Sequence, residues 1–153
     1  MAAKPVTGPT SELVDSLVQL SFAIHDVLTR VSAEYDLSVT QLRLLGILRD
    51  RTPPMTAIAE HLGLDRSSVT GLVDRAERRG LVSRATSTHD ARVTIVSVTT
   101  AGWDVGGHLA AAIATKIEAL VGHVPKTERD CFVRMATSVL NAQVEQKRTP
   151  TAR

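Results

Sequence analysis

Residues 55–98, MTAIAEHLGLDRSSVTGLVDRAERRGLVSRATSTHDARVTIVSV, hold two short helical patterns joined at Gly63, then two strand-like runs around a polar tip. A short helix, a turn, a second helix and a β-ribbon make a winged helix-turn-helix. That arrangement offers one helix to a DNA groove and a ribbon to the flanking backbone. In the first pattern, from about Thr56 to Leu62, the residues Ile58, Ala59 and Leu62 share a face. Gly63 ends it, because glycine accepts the left-handed backbone of a helix terminus. Asp65 can cap the next helix by accepting from free amides.

The spacing predicts that this second helix runs to about Arg79, with Val69, Leu72, Val73 and Ala76 as its apolar stripe. Arg66, Ser67, Thr70, Gly71 and Asp74 lie roughly opposite, with Ser68 and Arg75 on the flanks. The exposed face is small and polar near its N-terminal end, as entry into a major groove requires. Ser67, Ser68 and Thr70 are the candidates for base edges or nearby backbone, and Arg66 and Arg75 for phosphates or guanine. The free amides and dipole of the N-terminus also favour phosphate. Gly80 closes the helix, Leu81–Arg84 and Val93–Val98 read as strands, and Ala85–Arg92 as the polar tip. Arg84 and the tip pair Asp90 and Arg92 complete the candidate DNA contacts. In an extended ribbon Asp90 and Arg92 fall on one side, where the carboxylate can hold the guanidinium. An exposed pair of this kind is worth at most ~1 kcal/mol. At a wing tip the arginine instead suits a narrow minor groove.

With these pieces in order, the chain resembles the MarR family, the multiple antibiotic resistance regulators, over roughly residues 11–146. The landmarks are Tyr35-Asp36-Leu37-Ser38-Val39-Thr40-Gln41-Leu42, the helix-turn-helix above, Gly80-Leu81-Val82-Ser83-Arg84, Asp90-Ala91-Arg92 and Val98-Thr99-Thr100-Ala101-Gly102. The resemblance implies a homodimeric, mainly α-helical transcription regulator with a small β-wing, often relieved by a small aromatic or phenolic ligand. Ala91 departs from the pattern, standing where a second arginine is frequent. In the resemblance the effector cavity lies between the dimer helices and the winged module. Coarse placement then puts Phe22, His25 and Arg43 at such a space, as an aromatic wall, a group switchable near neutral pH and a carboxylate partner.

Outside the module the chain reads as a dimerisation scaffold. Leu13, Leu17, Leu20, Ile24, Leu28 and Val31 keep helical spacing, and Leu42, Leu45 and Leu48 give a second apolar face, broken by Arg51-Thr52-Pro53-Pro54. Thr99 or Thr100 can cap a long helix through Ala110-Ala111-Ala112 to Val121, and the last helix carries Phe132, Met135, Ala136, Val139 and Leu140. The expected organisation is a tail over 1–10, a single domain over 11–146 and a tail over 147–153. Within the domain the winged module covers about 38–98, and dimerisation helices cover about 11–34 and 99–146. Pairing across a two-fold axis sets two recognition helices about one DNA turn, ~34 Å, apart, which implies a pseudo-palindromic double-stranded operator.

Composition agrees. The chain has 153 residues, 43% of them hydrophobic and only 3% aromatic, which suits one aliphatic core. The net charge of +2 is uneven: residues 43–92 hold nine arginines against six acids, while residues 1–42 hold two basic groups against five acids. A lone cysteine, Cys131, excludes an internal disulfide framework and is expected to pack within the last helix. With neither a signal peptide nor an apolar span, the expectation is a cytoplasmic protein without membrane contact. His25, His61, His89, His108 and His123 form no ligand spacing, and no phosphate loop, dinucleotide fingerprint or nucleophile elbow occurs. Neither an enzyme nor a cofactor or metal site is expected. The rival reading is a winged helix used for protein contact without specific DNA binding. The small polar recognition face and basic wing tip argue against it.

Overall fold

In the computed structural model, which describes residues 9–148, the apolar stripes become helices in the expected order. They are α1 (Pro9–Glu34), α2 (Val39–Leu48), α3 (Met55–Leu62), α4 (Arg66–Arg78), α5 (Thr100–Val121) and α6 (Lys126–Arg148). Between α4 and α5, β1 (Val82–Thr86) and β2 (Thr94–Val98) pair antiparallel, in a register that sets Val82 opposite Val98 and Thr86 opposite Thr94. The fold is therefore mainly helical with a two-stranded wing. The first helix starts at Pro9 rather than residue 11, and the last continues through Arg148. The rest of the two expected tails, 1–8 and 149–153, lies outside the described residues. β1 starts one residue later than expected, because Leu81 closes α4 with its amide donating to Ala76 O at 3.0 Å, and it runs on to Thr86; β2 starts one residue later and ends at Val98 as expected.

Two compact units divide the chain, Met1–Thr115 and Lys116–Arg153. The first holds the buried core, in which Val31, Leu44, Ile58, Val69, Leu72, Val73, Val82, Val96 and Leu109 are almost fully removed from water. The stripe expected on α4 is thus the stripe it buries. Ser38 starts α2 with a capping box: its Oγ accepts from Gln41 N at 3.2 Å, and Gln41 Oε1 accepts from Ser38 N at 2.9 Å. The Pro53-Pro54 break does more than stop α2. Proline carbonyls still accept, and Pro53 O takes the amide of Val96 at 3.1 Å, while Pro54 bridges to Ile95. The loop thereby extends the wing by a partial third strand.

Thr99 fastens the base of the wing. Its Oγ1 donates to Gly80 O at 2.5 Å and accepts from Gly102 N at 3.0 Å, which caps α5. Gly102 has to be small, since a Cβ there would lie 2.0 Å from Leu81 O. In the second unit Arg129 pairs with Glu118 at 2.7 Å and Lys126 with Asp130 at 2.6 Å. Phe132, Val133, Met135, Val139 and Leu140 are exposed there. Cys131 is exposed as well, which corrects its expected packing: among the described residues of this unit nothing covers its side chain.

Candidate nucleic-acid interface

The interface is built on α4. One turn of polar residues precedes its buried stripe, and Asp65 organises that turn. Its Oδ1 accepts from Ser68 N at 2.9 Å and from Ser67 Oγ at 2.6 Å, and its Oδ2 accepts from Ser68 Oγ at 2.6 Å. The hydroxyl bond from Ser67, followed by those from Ser68, holds the Asp65 carboxyl well below the usual carboxylate range. Two consequences follow. Ser67 and Ser68 use their protons on Asp65, so they present lone pairs outward and meet a base edge as acceptors. The carboxylate also occupies the helix N-terminus, so the phosphate attraction expected there is offset. Thr70 likewise donates inward, to Arg66 O at 2.9 Å.

Of the arginines read as contacts, Arg66, Arg75 and Arg92 are exposed and have no polar side-chain partner among the described residues. Arg75 lies along the helix, its Nη1 about where a Cβ on Gly71 would touch, at 3.4 Å. It forms one wall of an open cleft of about 410 Å³ that Ser38, Thr40, Leu64, Ser67, Ser68, Gly71 and Leu72 also line. The start of α2 and the outer face of α4 therefore share one concave surface.

Arg84 departs from its expected role. Its guanidinium pairs with Asp74 and with Glu77, each at 2.6 Å, and reaches Thr70 O at 3.4 Å, while its amide donates to Glu77 Oε1 at 3.2 Å. With both terminal nitrogens engaged on α4, Arg84 clamps β1 to that helix. The tip also differs from the expectation. Residues 88–92 turn rather than extend, and Asp90 Oδ1 accepts from the backbone amide of Arg92 at 2.9 Å, not from its guanidinium. A further bond from Val93 N to Asp90 O at 3.0 Å closes the turn. Asp90 thus shapes the tip and leaves the Arg92 guanidinium free.

Phe22, His25 and Arg43 are all exposed, and none makes a hydrogen bond or ion pair among the described residues. They are not among the residues lining the cleft on α4. Sequence reading missed Ser38 and Thr40 as neighbours of the recognition surface, though the Ser-x-x-Gln spacing of Ser38 and Gln41 is a readable helix start. No group of three or more His, Cys, Asp or Glu side chains gathers as a metal site among the described residues. None of their helices is long and apolar enough to cross a membrane.

The profile of the MarR family matches residues 35–93, which run from the end of α1 through the wing tip. The HTH-type transcriptional repressor YetL of Bacillus subtilis is 29% identical over 127 residues, covering 81% of this chain and 76% of the relative. Two solved structures share the fold. One is the crystal structure of MarR, with a TM-score of 0.76 and 17% identity over 95% of this chain and 98% of that one. The other is the transcriptional repressor CouR bound to a 23-mer DNA duplex, with a TM-score of 0.73 and 24% identity over 90% of this chain and 99% of that one.

Proposed function

From a chain that belongs to the MarR family of winged helix-turn-helix transcription regulators, a family of regulators and not of enzymes, we propose a homodimeric repressor that binds a pseudo-palindromic double-stranded operator in the cytoplasm. The observation that carries this reading is the outer face of α4, where small hydroxyl residues and the unpaired Arg66 and Arg75 stand over a fully buried stripe. Such a helix is held rigidly from behind and is free in front. Ser67, Ser68 and Thr70 approach base edges, Arg66 and Arg75 reach guanine or phosphate, and Arg92 enters the flanking minor groove. Arg84 and Asp90 act one step back, by holding the wing on α4 and shaping its tip.

Exposed apolar side chains support the dimer. Leu13, Val14, Leu17, Val18 and Phe22 stand out on α1, and Phe132, Val133, Met135, Val139 and Leu140 on α6. Rows of this size on a lone chain mark an association surface. A second copy covers them and spaces two recognition helices by about one DNA turn, ~34 Å. Relief by a small aromatic or phenolic carboxylate completes the proposal, with Phe22, His25 and Arg43 lining a cavity that the second copy closes. A ligand releases DNA only if it favours a form whose recognition helices are wrongly spaced, and operator must weaken ligand binding by the same factor. Calorimetry with salicylate, with and without operator, reads that factor directly; equal affinity in both conditions removes salicylate as the inducer.

The DNA reading is tested by letting the protein select duplexes from a random pool and measuring affinity across salt. Arg66→Ala or Arg75→Ala should cost ~1–3 kcal/mol on the selected duplex if the arginine reads a base. A phosphate contact instead weakens all duplexes alike and lowers the salt slope by about one unit. Unchanged affinity and slope in both variants would sink the assignment.

A further inference from the structure

Three helix ends in the first unit close in the same way, and one of them is out of character. α3 ends with Gly63 N on Glu60 O at 3.3 Å and Leu64 N on Ala59 O at 3.1 Å; α4 ends with Gly80 N on Glu77 O at 2.8 Å and Leu81 N on Ala76 O at 3.0 Å. Both turns use a left-handed glycine, with φ of 66° and 70°. α1 ends with the same pair of bonds, Asp36 N on Ala33 O at 3.0 Å and Leu37 N on Ser32 O at 2.9 Å, but its left-handed residue is Asp36, with φ of 55°. A residue with a Cβ pays a steric cost there that glycine does not.

What holds this turn comes from the far end of the recognition helix. Arg79, the residue that caps α4, donates through Nη2 to Tyr35 O at 2.9 Å and through Nη1 to Asp36 O. One planar fork thereby takes two successive carbonyls, a geometry that an ammonium cannot copy. The last turn of α1 contains no basic residue of its own, so the cation facing its negative end is supplied from more than forty residues away. Arg75 and Arg78, its basic neighbours in the last turn of α4, make no such tie. The tie runs from the helix proposed to carry a dimer surface to the helix proposed to read DNA.

We infer that Arg79 is a positioning residue: it sets the angle of α4 on the end of α1, and so the spacing of the two recognition helices, without touching DNA. The inference rests on the dimeric DNA-binding reading above. The test uses a duplex selected by the wild-type protein, the same duplex with one or two base pairs inserted between its half-sites, and an unrelated duplex. In Arg79→Ala, affinity for the selected duplex should fall about tenfold. The unrelated duplex should hold within about twofold, the salt slope should stay unchanged, and the wild-type penalty for inserted base pairs should shrink. Arg79→Lys keeps the charge but not the fork, and should show the same relaxed spacing. Equal losses on every duplex, with a salt slope lower by about one unit and rescue by lysine, would make Arg79 a phosphate contact and overturn the inference. Wild-type discrimination in both variants overturns it too. Circular dichroism and the fluorescence of the single Trp103 report whether each variant folds. If Arg79→Ala does not, Arg79→Gln, which can reach one carbonyl, carries the same measurements. A wild-type protein that selects no duplex defeats the proposed function itself, and this inference with it.

Discussion

α4 and α6 carry apolar residues at the same helical spacing, yet the chain treats them in opposite ways. Val69, Leu72, Val73 and Ala76 are at most 2% exposed, whereas Val139 and Leu140 are 60% exposed or more. α1 contains both extremes in one helix, from Leu13 at 52% to Val31 at 0%. The difference teaches that periodicity specifies a helix with an apolar face, but not what covers the face. The winged module buries its stripe within one chain, while the outer rows of α1 and α6 stay exposed and are the surface assigned to the proposed dimer.

The sharpest break of this comparison is a pair of truncations. Leu72→Ala empties a filled core site and should cost ~2–5 kcal/mol in urea unfolding at any protein concentration. Leu140→Ala should cost little in dilute protein and show its effect only where the dimer forms. An equal, concentration-independent loss for both would erase the distinction. Next in size is Leu17→Glu on α1. It should leave the helical content intact and turn a dimer into a monomer by sedimentation, because a second copy cannot bury an unpaired carboxylate cheaply. A wild-type sedimentation profile would remove α1 from the proposed interface.

Within the module, Arg84→Ala should lower stability by ~1–2 kcal/mol, since Asp74 and Glu77 lose a shared and partly buried partner. DNA affinity should fall alongside as the wing loosens on α4, and the salt slope should stay constant. A slope lower by about one unit would return Arg84 to direct phosphate contact. The smallest effect belongs to Asp65. Its carboxyl titrates below the ordinary 3.8 in the folded chain, so its contribution is full above that value and fades as pH falls toward the folded one. Asp65→Asn should therefore melt lower at neutral pH and lose less stability than wild type on acidification below 3.8. Parallel melting curves across that window would show the cap to be neutral.

Much of the module was legible because its signals are local. The Asp65 cap, the Gly63 and Gly80 stops, the α4 stripe and the Thr99 cap each depend on residues within a helical turn. Ser67, Ser68 and Thr70 were correctly placed on the exposed face for the same reason. Their hydroxyl orientation was not legible, because it depends on which acceptor lies nearest. At the wing, the two strand-like runs became strands, but reading the tip as extended misassigned Asp90, which bonds the backbone of Arg92.

By itself, the sequence determined the order of helices and strands, the buried face of α4 and the basic bias of residues 43–92, because periodicity, capping and charge are properties of neighbouring residues. Only the tertiary structure decided which arginine does what. Arg66, Arg75, Arg79, Arg84 and Arg92 look alike in sequence. Arg84 is spent on Asp74 and Glu77, Arg79 on the turn at Asp36, and the other three are left free. A guanidinium on a long flexible stem takes whatever acceptor the fold brings within reach. Which acceptor that is depends on contacts between segments far apart in the chain.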